Sequence, residues 1–305
     1  MKLRFILNPR SGHIRRDPAL AGRLRAFIDR RGLDAALAFT KAPSHATALA
    51  RAALGEGCDV VVAVGGDGTV NEVAQALVGT PAALGLVPLG SGNGLARDLG
   101  VPLRTADALE VLLLGRSRTI DMGYANDRPF FCAMGAGFDA DLVERFNRCQ
   151  RRGLATYVRL GALLWWRQRP ERFVVHAGDA RLELTALLIA VANAAQFGNN
   201  ARIAPGARVD DGLLDLVAVP PATLRNALPL VWRLFTGTLD RHPQVRRLRG
   251  PHFTIERARP GLFHTDGEIG PPVARIDVSV RPSALRVLVP AARRPGFRAG
   301  DAVNH

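Results

Sequence analysis

Apolar positions in the first part of the chain switch between two periods. Val60-Val61-Val62-Ala63-Val64 is an unbroken apolar run rich in β-branched residues, and it reads as a strand buried on both faces. Gly65 and Gly66 then let the backbone turn sharply. From Val70 the period lengthens. Val70, Val73, Ala74 and Leu77 fall at i, i+3, i+4 and i+7, one face of a helix. The same alternation recurs on either side. Leu3–Leu7 and Ala35–Phe39 read as strands, with a helix between them carrying Leu20, Leu24, Phe27 and Ile28. Thr40 ends the second strand, and Ser44 is placed to cap a helix carrying Ala46, Leu49, Ala50 and Ala53. Leu84–Leu89 is the next strand, followed by a short helix to Leu99, a helix from Thr105 to Leu114 capped by Thr105, and a strand from Arg118 to Met122.

Beyond residue 123 the texture changes. Apart from one basic helical region, short strands are separated by Gly, Pro, Asn and Asp: Phe130–Met134, Phe173–His176, Leu182–Val191, Leu213–Val219, Phe253–Glu256, Ile276–Val280 and Leu285–Val289. The pattern predicts an α/β domain with an open parallel sheet over 1–122, an all-β sandwich-type domain over 123–290, and a polar tail over 291–305.

Three strands of the first domain end in loops suited to phosphate. Asn8-Pro9-Arg10-Ser11-Gly12 follows the first, Gly65-Gly66-Asp67-Gly68-Thr69 the third, and Gly90-Ser91-Gly92-Asn93-Gly94 the fourth. Open α/β sheets bind ligands at the carboxyl ends of their strands, and backbone N–H groups at a helix start attract anions. Asp67 would repel bare phosphate. It fits if a divalent ion lies between carboxylate and phosphate, which points to a nucleoside triphosphate with Mg²⁺. The plainer alternative, a tight strand–helix turn whose Asp caps the helix, is weakened by the full string through Asn71 and Glu72.

Composition adds a direction. The net charge is +14, and all basic residues except Lys2 and Lys41 are Arg. Anionic partners follow: nucleotide phosphates or an acidic membrane surface. Nucleic acid is disfavoured, because no aromatic–basic stacking platform is evident. Cys58, Cys132 and Cys149 have neither metal-ligand spacing nor an even count, so no disulfide framework is expected. The apolar part of Met1–Pro9 is too short for a signal peptide, and Leu184–Ala195 is too short to span a bilayer. The expected setting is the cytoplasm, with peripheral contact at the inner face of the membrane. Arg145 to Arg172 surrounds Trp165-Trp166 with arginines, as an anionic lipid surface would favour. Packing of a Trp in the core is the competing reading. His45 lies where it could approach a nucleotide or serve a helix start, and His264 lies near Glu268.

These residues carry a resemblance. The chain looks like the diacylglycerol kinase catalytic-domain family, which includes bacterial soluble lipid kinases and sphingosine kinases. The residues that carry it are Asn8–Gly12, Gly65–Glu72, Pro88–Asn93, Val191-Ala192-Asn193, Phe197-Gly198, Ala204-Pro205, Asp210-Asp211-Gly212-Leu213-Leu214-Asp215 and Asp266-Gly267-Glu268. They stand in the family's order over nearly the whole chain. The resemblance implies an NAD-kinase-like α/β domain, a β-sandwich domain and a site between them. It implies nucleotide contacts at Asn8, Ser11, Thr40, Gly65, Gly66, Asp67, Gly68, Thr69, Val70, Asn71, Glu72, Ser91 and Asn93. ATP and Mg²⁺ are the implied cofactors, with Asp67 and Asp121 near the catalytic ion. A structural Mg²⁺ site is implied at Asp211 with the carbonyls of Arg208 and Leu213. Glu268 matches the proton acceptor, so Asp67 and Glu268 are the implied catalytic pair.

One departure stands out. Many bacterial members have Asp where this chain has Gly94, which puts diacylglycerol itself in doubt as substrate. Asp98, four residues on, could substitute or sit on an exposed polar face. The expected activity is ATP-dependent phosphorylation of a diacylglycerol- or sphingoid-like lipid hydroxyl, and a homodimer is left open. The alternatives are an NAD-kinase-like enzyme with a soluble acceptor and a non-catalytic nucleotide-binding regulator. The presence of both Asp67 and Glu268 argues against the latter.

Overall fold

The computed structural model describes residues 1–11, 17–149, 154–165, 170–221, 223 and 225–291. Strands β1 (Leu3–Leu7), β2 (Ala35–Phe39), β3 (Val60–Gly65) and β4 (Ala83–Pro88) pair in parallel in the order β2-β1-β3-β4. Helices α1 (Leu20–Arg30) and α5 (Thr105–Leu114) cover one face of this sheet. Helices α2 (His45–Gly55) and α3 (Asp67–Leu77) cover the other. The valine run of β3 divides between the two cores. Val60, Val62 and Val64 meet α1 and α5, while Val61 and Ala63 meet α2 and α3. Full burial of such a side chain contributes about 1.5–3 kcal/mol. Strand β3 therefore holds both layers of helices.

Two helix starts differ from expectation. Ser44 makes no side-chain cap and sits in the left-handed region at φ 63°. Instead the Glu72 carboxylate, from α3, accepts the N–H of Ser44 and of Ala46, each at 3.0 Å. A side chain from another helix thus caps α2, a contact no local spacing reveals. Thr105 is the first residue of α5 and makes no cap either; Arg104 is the boundary residue.

After α4 (Gly94–Asp98) and α5, strand β5 (Arg116–Ala125) leads into the second domain. There follow β6 (Arg128–Phe130), β7 (Ala133–Gly137), α6 (Phe138–Asn147), α7 (Leu154–Trp165), β8 (Glu171–Ala177), β9 (Ala180–Ala186), β10 (Leu188–Ala192), β11 (Leu214–Val219), α8 (Ala227–Thr236), β12 (Arg246–Gly250), β13 (His252–Gly261), β14 (Phe263–Thr265), β15 (Glu268–Ile269) and β16 (Val273–Val289). One six-stranded sheet runs β12-β11-β10-β7-β14-β15. It packs on the far part of the other sheet through Phe130, Phe173, Phe253, Phe263, Ile189 and Leu216. This is the expected sandwich.

The expected strands at the C-terminal end need correction. Ile276–Val280 and Leu285–Val289 are not two strands of the second domain but one strand, β16, that serves both. Its first half pairs with β13. Its second half pairs in parallel with β4 through Arg286 and Val287, and β5 runs antiparallel along its length. The parallel sheet and half the sandwich therefore form one ten-stranded sheet. A bulge between Arg281 and Leu285, with Ser283 at φ 51°, marks the crossing. Leu182–Val191 also resolves differently: it breaks at Leu187 into β9 and β10, which belong to opposite sheets. Helix α8 has no counterpart in the sequence reading. Pro229 argues against a helix there, but it lies in the first turn, where its missing N–H is not needed. The tail read over 291–305 lies outside the described residues from 292 onward. So do Gly12 and Trp166, and nothing is described of the Trp165 side chain.

Leu285 is fully buried among side chains of α3, β4 and β5. Leu285→Ala should cost about 2–5 kcal/mol. Because β16 is shared, amide exchange should accelerate together in β4 and β13. Acceleration confined to β4 would show that the two domains unfold independently.

Candidate active site

The C-terminal ends of β1, β3 and β4 bring three loops together, and small residues let them touch. A Cβ on Gly65 would lie 2.6 Å from Thr69 Oγ1, and one on Gly90 would lie 2.6 Å from the Gly66 Cα. Asn8 Nδ2 donates to Thr69 Oγ1 at 3.2 Å, and Ser11 Oγ donates to the Leu89 carbonyl at 3.2 Å. The polar side chains of Asn8, Ser11 and Thr69 therefore tie the loops to one another. What faces outward is the start of α3. Its first helical bond is Val70 N to Gly66 O at 3.0 Å, so the N–H groups of residues 67–69 lie ahead of the ladder. Val70 itself is buried in the core. A Cβ on Gly68 would meet nothing within 4 Å, so this turn is open to a ligand. Ser91 is exposed on the neighbouring loop, and Thr40 ends β2 at the same edge with its N–H on the Leu7 carbonyl.

The Asp67 carboxylate stays on its own N–H and reaches across to the next loop. Its two oxygens accept the N–H of Asn93 at 2.9 Å and of Gly94 at 2.7 Å, at the start of α4. Asn93, at φ 52°, closes its loop with both side-chain polar atoms on Gly90. Burial pushes the Asp67 pKa up, against the lowering effect of the Gly94 and Asn93 N–H groups.

The second domain closes over these loops. Asn199 N–H donates to the Gly92 carbonyl at 3.1 Å, and Asp98 Oδ1 accepts the Ala195 N–H at 3.0 Å. Asp98 is thus neither on an exposed polar face nor directed at the phosphate loop. A Cβ at position 94 would lie 2.8 Å from the Phe197 carbonyl oxygen. The glycine that departs from the family pattern is therefore required by local packing, and a carboxylate has no room there.

Asp266 pins the facing turn. Its carboxylate accepts the N–H groups of Phe131 (2.7 Å), Cys132 (2.9 Å) and Ala133 (3.0 Å), and the Asn71 amide at 2.9 Å. Three consecutive N–H groups of the second domain and one side chain of α3 thus converge on one carboxylate. Burial raises its pKa, opposed by those bonds. Two residues on, Glu268 sits at the cleft. More than half of its side chain is exposed (53%). Loss of hydration nonetheless raises its pKa, opposed by Arg128, and the nearby charges of Glu72 and Asp266 push it further up. Arg128 Nη2 lies 3.9 Å from Glu268 Oε2.

Behind this turn is a network that sequence reading missed. His264 Nε2 lies 2.8 Å from Asp139 Oδ2, both buried, and Tyr157 Oη donates to Asp139 Oδ1 at 3.0 Å. His264 Nδ1 accepts the Gly267 N–H at 3.4 Å, which places the ring proton on Nε2, toward Asp139. Asn147 Nδ2 donates to the Gly267 carbonyl at 2.8 Å. Only the position of His264 beside Glu268 hinted at this. His45 has a local role: its Nδ1 accepts the Lys41 N–H at 2.9 Å.

Two sets of implied metal ligands are engaged elsewhere. Asp121, buried at the crossing of the domains, accepts the Gly212 N–H at 2.7 Å and the Ser283 N–H at 2.8 Å, so it braces the β16 bulge. Asp211 accepts the Leu213 N–H at 3.1 Å and pairs with Arg249. Arg208 pairs its side chain with Asp210. Arg249 supplies the positive charge that an ion would bring to Asp211, so the residues do not fit a structural Mg²⁺ there. Among the described residues no cluster of three or more His, Cys, Asp or Glu could hold a metal. Asp67 also has both oxygens on backbone N–H groups, but it differs from Asp121 and Asp211 in lying beside the anion-binding turn. That fits an ion held mainly by phosphates and water, the usual mode for Mg²⁺. Glu72, implied as a nucleotide contact, has both carboxylate oxygens on the start of α2.

The chain matches the model of the diacylglycerol kinase catalytic domain over residues 2–125. It matches the YegS C-terminal NAD kinase beta sandwich-like domain over 132–289. It is 30% identical over 299 residues to a diacylglycerol kinase of Mycobacterium tuberculosis, covering 95% of each chain. It is 33% identical over 240 residues to a probable lipid kinase, YegS-like, of Pectobacterium atrosepticum, covering 76% of this chain and 78% of that one. With an uncharacterized protein of Synechocystis it shares 31% identity over 245 residues, which is 56% of that protein's length. A diacylglycerol kinase structure from Bacillus anthracis superposes with a TM-score of 0.71 at 18% identity, covering 95% of this chain and 97% of that one. An NAD kinase from Archaeoglobus fulgidus in complex with ATP gives a TM-score of 0.52 at 13% identity over 94% of this chain and 93% of that one, a likeness of fold.

Two measurements check the electrostatics. The folded pKa of Asp67 lies above its unfolded value of 3.8. The stability linked to its protonation is therefore fully present below that value and is lost as pH rises through the folded pKa. Asp67→Asn removes this titration, so its melting temperature relative to wild type should rise over that window. A difference independent of pH would mean that the carboxyl is not desolvated. Asp211→Ala should lower the melting temperature equally in Mg²⁺ and in chelator, and a larger loss in Mg²⁺ would restore an ion at that turn.

Proposed function

Because the chain belongs to the diacylglycerol kinase catalytic-domain family, we propose that it is an ATP-dependent lipid kinase. It transfers the γ-phosphoryl group to the hydroxyl of a diacylglycerol- or sphingoid-like lipid at an anionic membrane surface. One observation carries the reading: the Asn71–Asp266 contact holds the turn bearing Glu268 across from the open start of α3.

The roles follow from position. The N–H groups of residues 68 and 69, ahead of the helical ladder, receive the phosphates, and the loops of Asn8, Ser11, Ser91 and Asn93 fix the shape of the cradle. Mg²⁺ brought with ATP would meet Asp67 and offset phosphate charge as it develops. Arg97, with Nε on the Gly92 carbonyl at 3.0 Å, adds positive charge near Asp67. The lipid oxygen forms a bond to the γ-phosphorus while the bond to the bridging oxygen of ADP breaks. Glu268 takes the hydroxyl proton, and its raised pKa makes it a better base than an ordinary carboxylate. The asymmetry of the cleft supports this division, with N–H donors on one wall and a basic carboxylate on the other. The net charge of +14 supports an anionic surface as the place of action. Among the described residues no helix is long and apolar enough to cross a membrane.

Incubation with labelled ATP, Mg²⁺ and a total lipid extract should yield a labelled lipid. Label appearing only in a soluble acceptor such as NAD would overturn the lipid assignment. Glu268→Gln should lower kcat by roughly 10²–10⁴ and leave ATP affinity unchanged, and the acidic limb of the pH–rate profile should vanish. Loss of ATP binding in that variant would move Glu268 to the nucleotide shell.

A further inference from the structure

Helix α8 exposes apolar side chains that the fold does not use. Leu230 is buried against the outer face of the second sheet, with Ala190, Ala192, Val217 and Leu239. On the other side Leu228, Val231 and Trp232 are 79%, 51% and 71% exposed. They stand at i, i+3 and i+4, one stripe of the helix. Leaving three large apolar groups in water forfeits the free energy that burying them would supply. The nucleotide cleft makes no use of them.

The stripe has a cationic border. Leu228, Pro229, Trp232, Arg233, Thr238 and Arg241 line a shallow depression of about 660 Å³. Arg225 and Arg241 are exposed at its two ends, and Arg246 is exposed where β12 begins. Arg233 donates to the Thr238 carbonyl at 3.2 Å, so the guanidinium stays beside the helix end. Asp240 is the one acidic residue between Asp215 and Glu256. A short helix with Trp, Leu and Val on one side and Arg around it is matched to the boundary between acyl chains and anionic headgroups. Apolar contact and charge then act on the same surface.

The helix also connects to the cleft. Arg202 N–H donates to the Leu234 carbonyl of α8 at 2.8 Å. Within the same segment the Asn199 N–H donates to the Gly92 carbonyl of the loop that Asp67 organises. Contact at α8 is thus separated from the cleft by one short stretch of backbone.

We propose that the exposed face of α8 is a membrane-docking surface, with Leu228, Val231 and Trp232 entering an anionic bilayer and Arg225, Arg233 and Arg241 meeting its headgroups. The purpose of the docking rests on the kinase reading, but the docking itself does not.

Trp165, Trp166 and Trp232 are the chain's three tryptophans, so Trp165→Phe with Trp166→Phe leaves Trp232 as the sole reporter. In the full chain, adding phosphatidylcholine–phosphatidylglycerol vesicles should shift Trp232 emission to the blue and shield it from acrylamide. Pure phosphatidylcholine should do so less, and added salt should weaken the effect. Leu228→Ser with Trp232→Ser should lower vesicle partitioning of the otherwise wild-type chain roughly 10–100-fold, as expected for two lost apolar anchors. Arg225→Gln with Arg241→Gln should weaken partitioning on anionic vesicles only. All four positions are exposed, so circular dichroism melts should match wild type. Unchanged partitioning in the apolar double variant would overturn the proposal. So would Trp232 shielding that grows with protein concentration in buffer alone, which would assign the face to a second copy of the chain. Phosphorylation of detergent-dispersed lipid separates the two readings. If the kinase reading holds, the apolar variant retains it. If wild type binds vesicles through α8 but phosphorylates no lipid, docking stands and the kinase reading falls.

Discussion

Four hydrogen bonds to the Asp266 carboxylate, three from successive backbone N–H groups and one from Asn71, hold the cleft in its working shape. A buried carboxylate is unfavourable unless its lone pairs are filled. Here the acceptors are nearly saturated, and the donors come from both domains. Removing the carboxylate would strand the N–H groups of Phe131, Cys132 and Ala133 at about 1–3 kcal/mol for each buried donor left unpaired. The turn carrying Glu268, the end of β6 and the first turns of α3 would all lose their common reference. Other contacts across the cleft, such as Asp98 to the Ala195 N–H, refine an arrangement that this carboxylate sets.

Around that pin, the nucleotide loops are shaped by what is missing from their side chains. Gly66 lies against Gly90, and Gly92 against Gly198, close enough that a Cβ would force a shift. Backbone therefore packs on backbone, and amide groups rather than side chains form the wall. Gly94 extends the same logic to the second domain, because the Phe197 carbonyl occupies the space a larger residue would need. The chain thus holds Asp67 by two N–H bonds, with no carboxylate at position 94.

The parts legible in the sequence were those whose cause is local. The valines of β3, the glycines at 65, 66 and 90, and the i, i+3, i+4 spacing in α3 each specify their own conformation, and they sufficed for the α/β domain. Parts set by distant partners were not legible. Nothing near Ser44 shows that Glu72 caps its helix. Nothing in Leu182–Val191 shows that the run changes sheets at Leu187. Asp121 is a candidate ligand only through the family resemblance, and two N–H groups from remote segments claim both its oxygens. The Asp139–His264–Tyr157 network joins His264 to residues more than a hundred positions away and carries no motif. Helix α8 was obscured by Pro229, whose meaning depends on where in the helix it falls.

The shared strand β16 has a consequence for how the molecule is made. The strand that borders β4 is synthesised about two hundred residues after it, since Arg286 and Val287 pair with Ala83 and Leu84. While the chain emerges, the first domain waits with an open apolar sheet edge, the kind of surface that recruits foreign strands. The segment matched by the catalytic-domain model is therefore a region of similarity and not a unit that closes on itself. A fragment ending at residue 125 would keep every phosphate-facing loop and lack the strand that seals its sheet. Within the living chain, the final residues of the second domain complete the first.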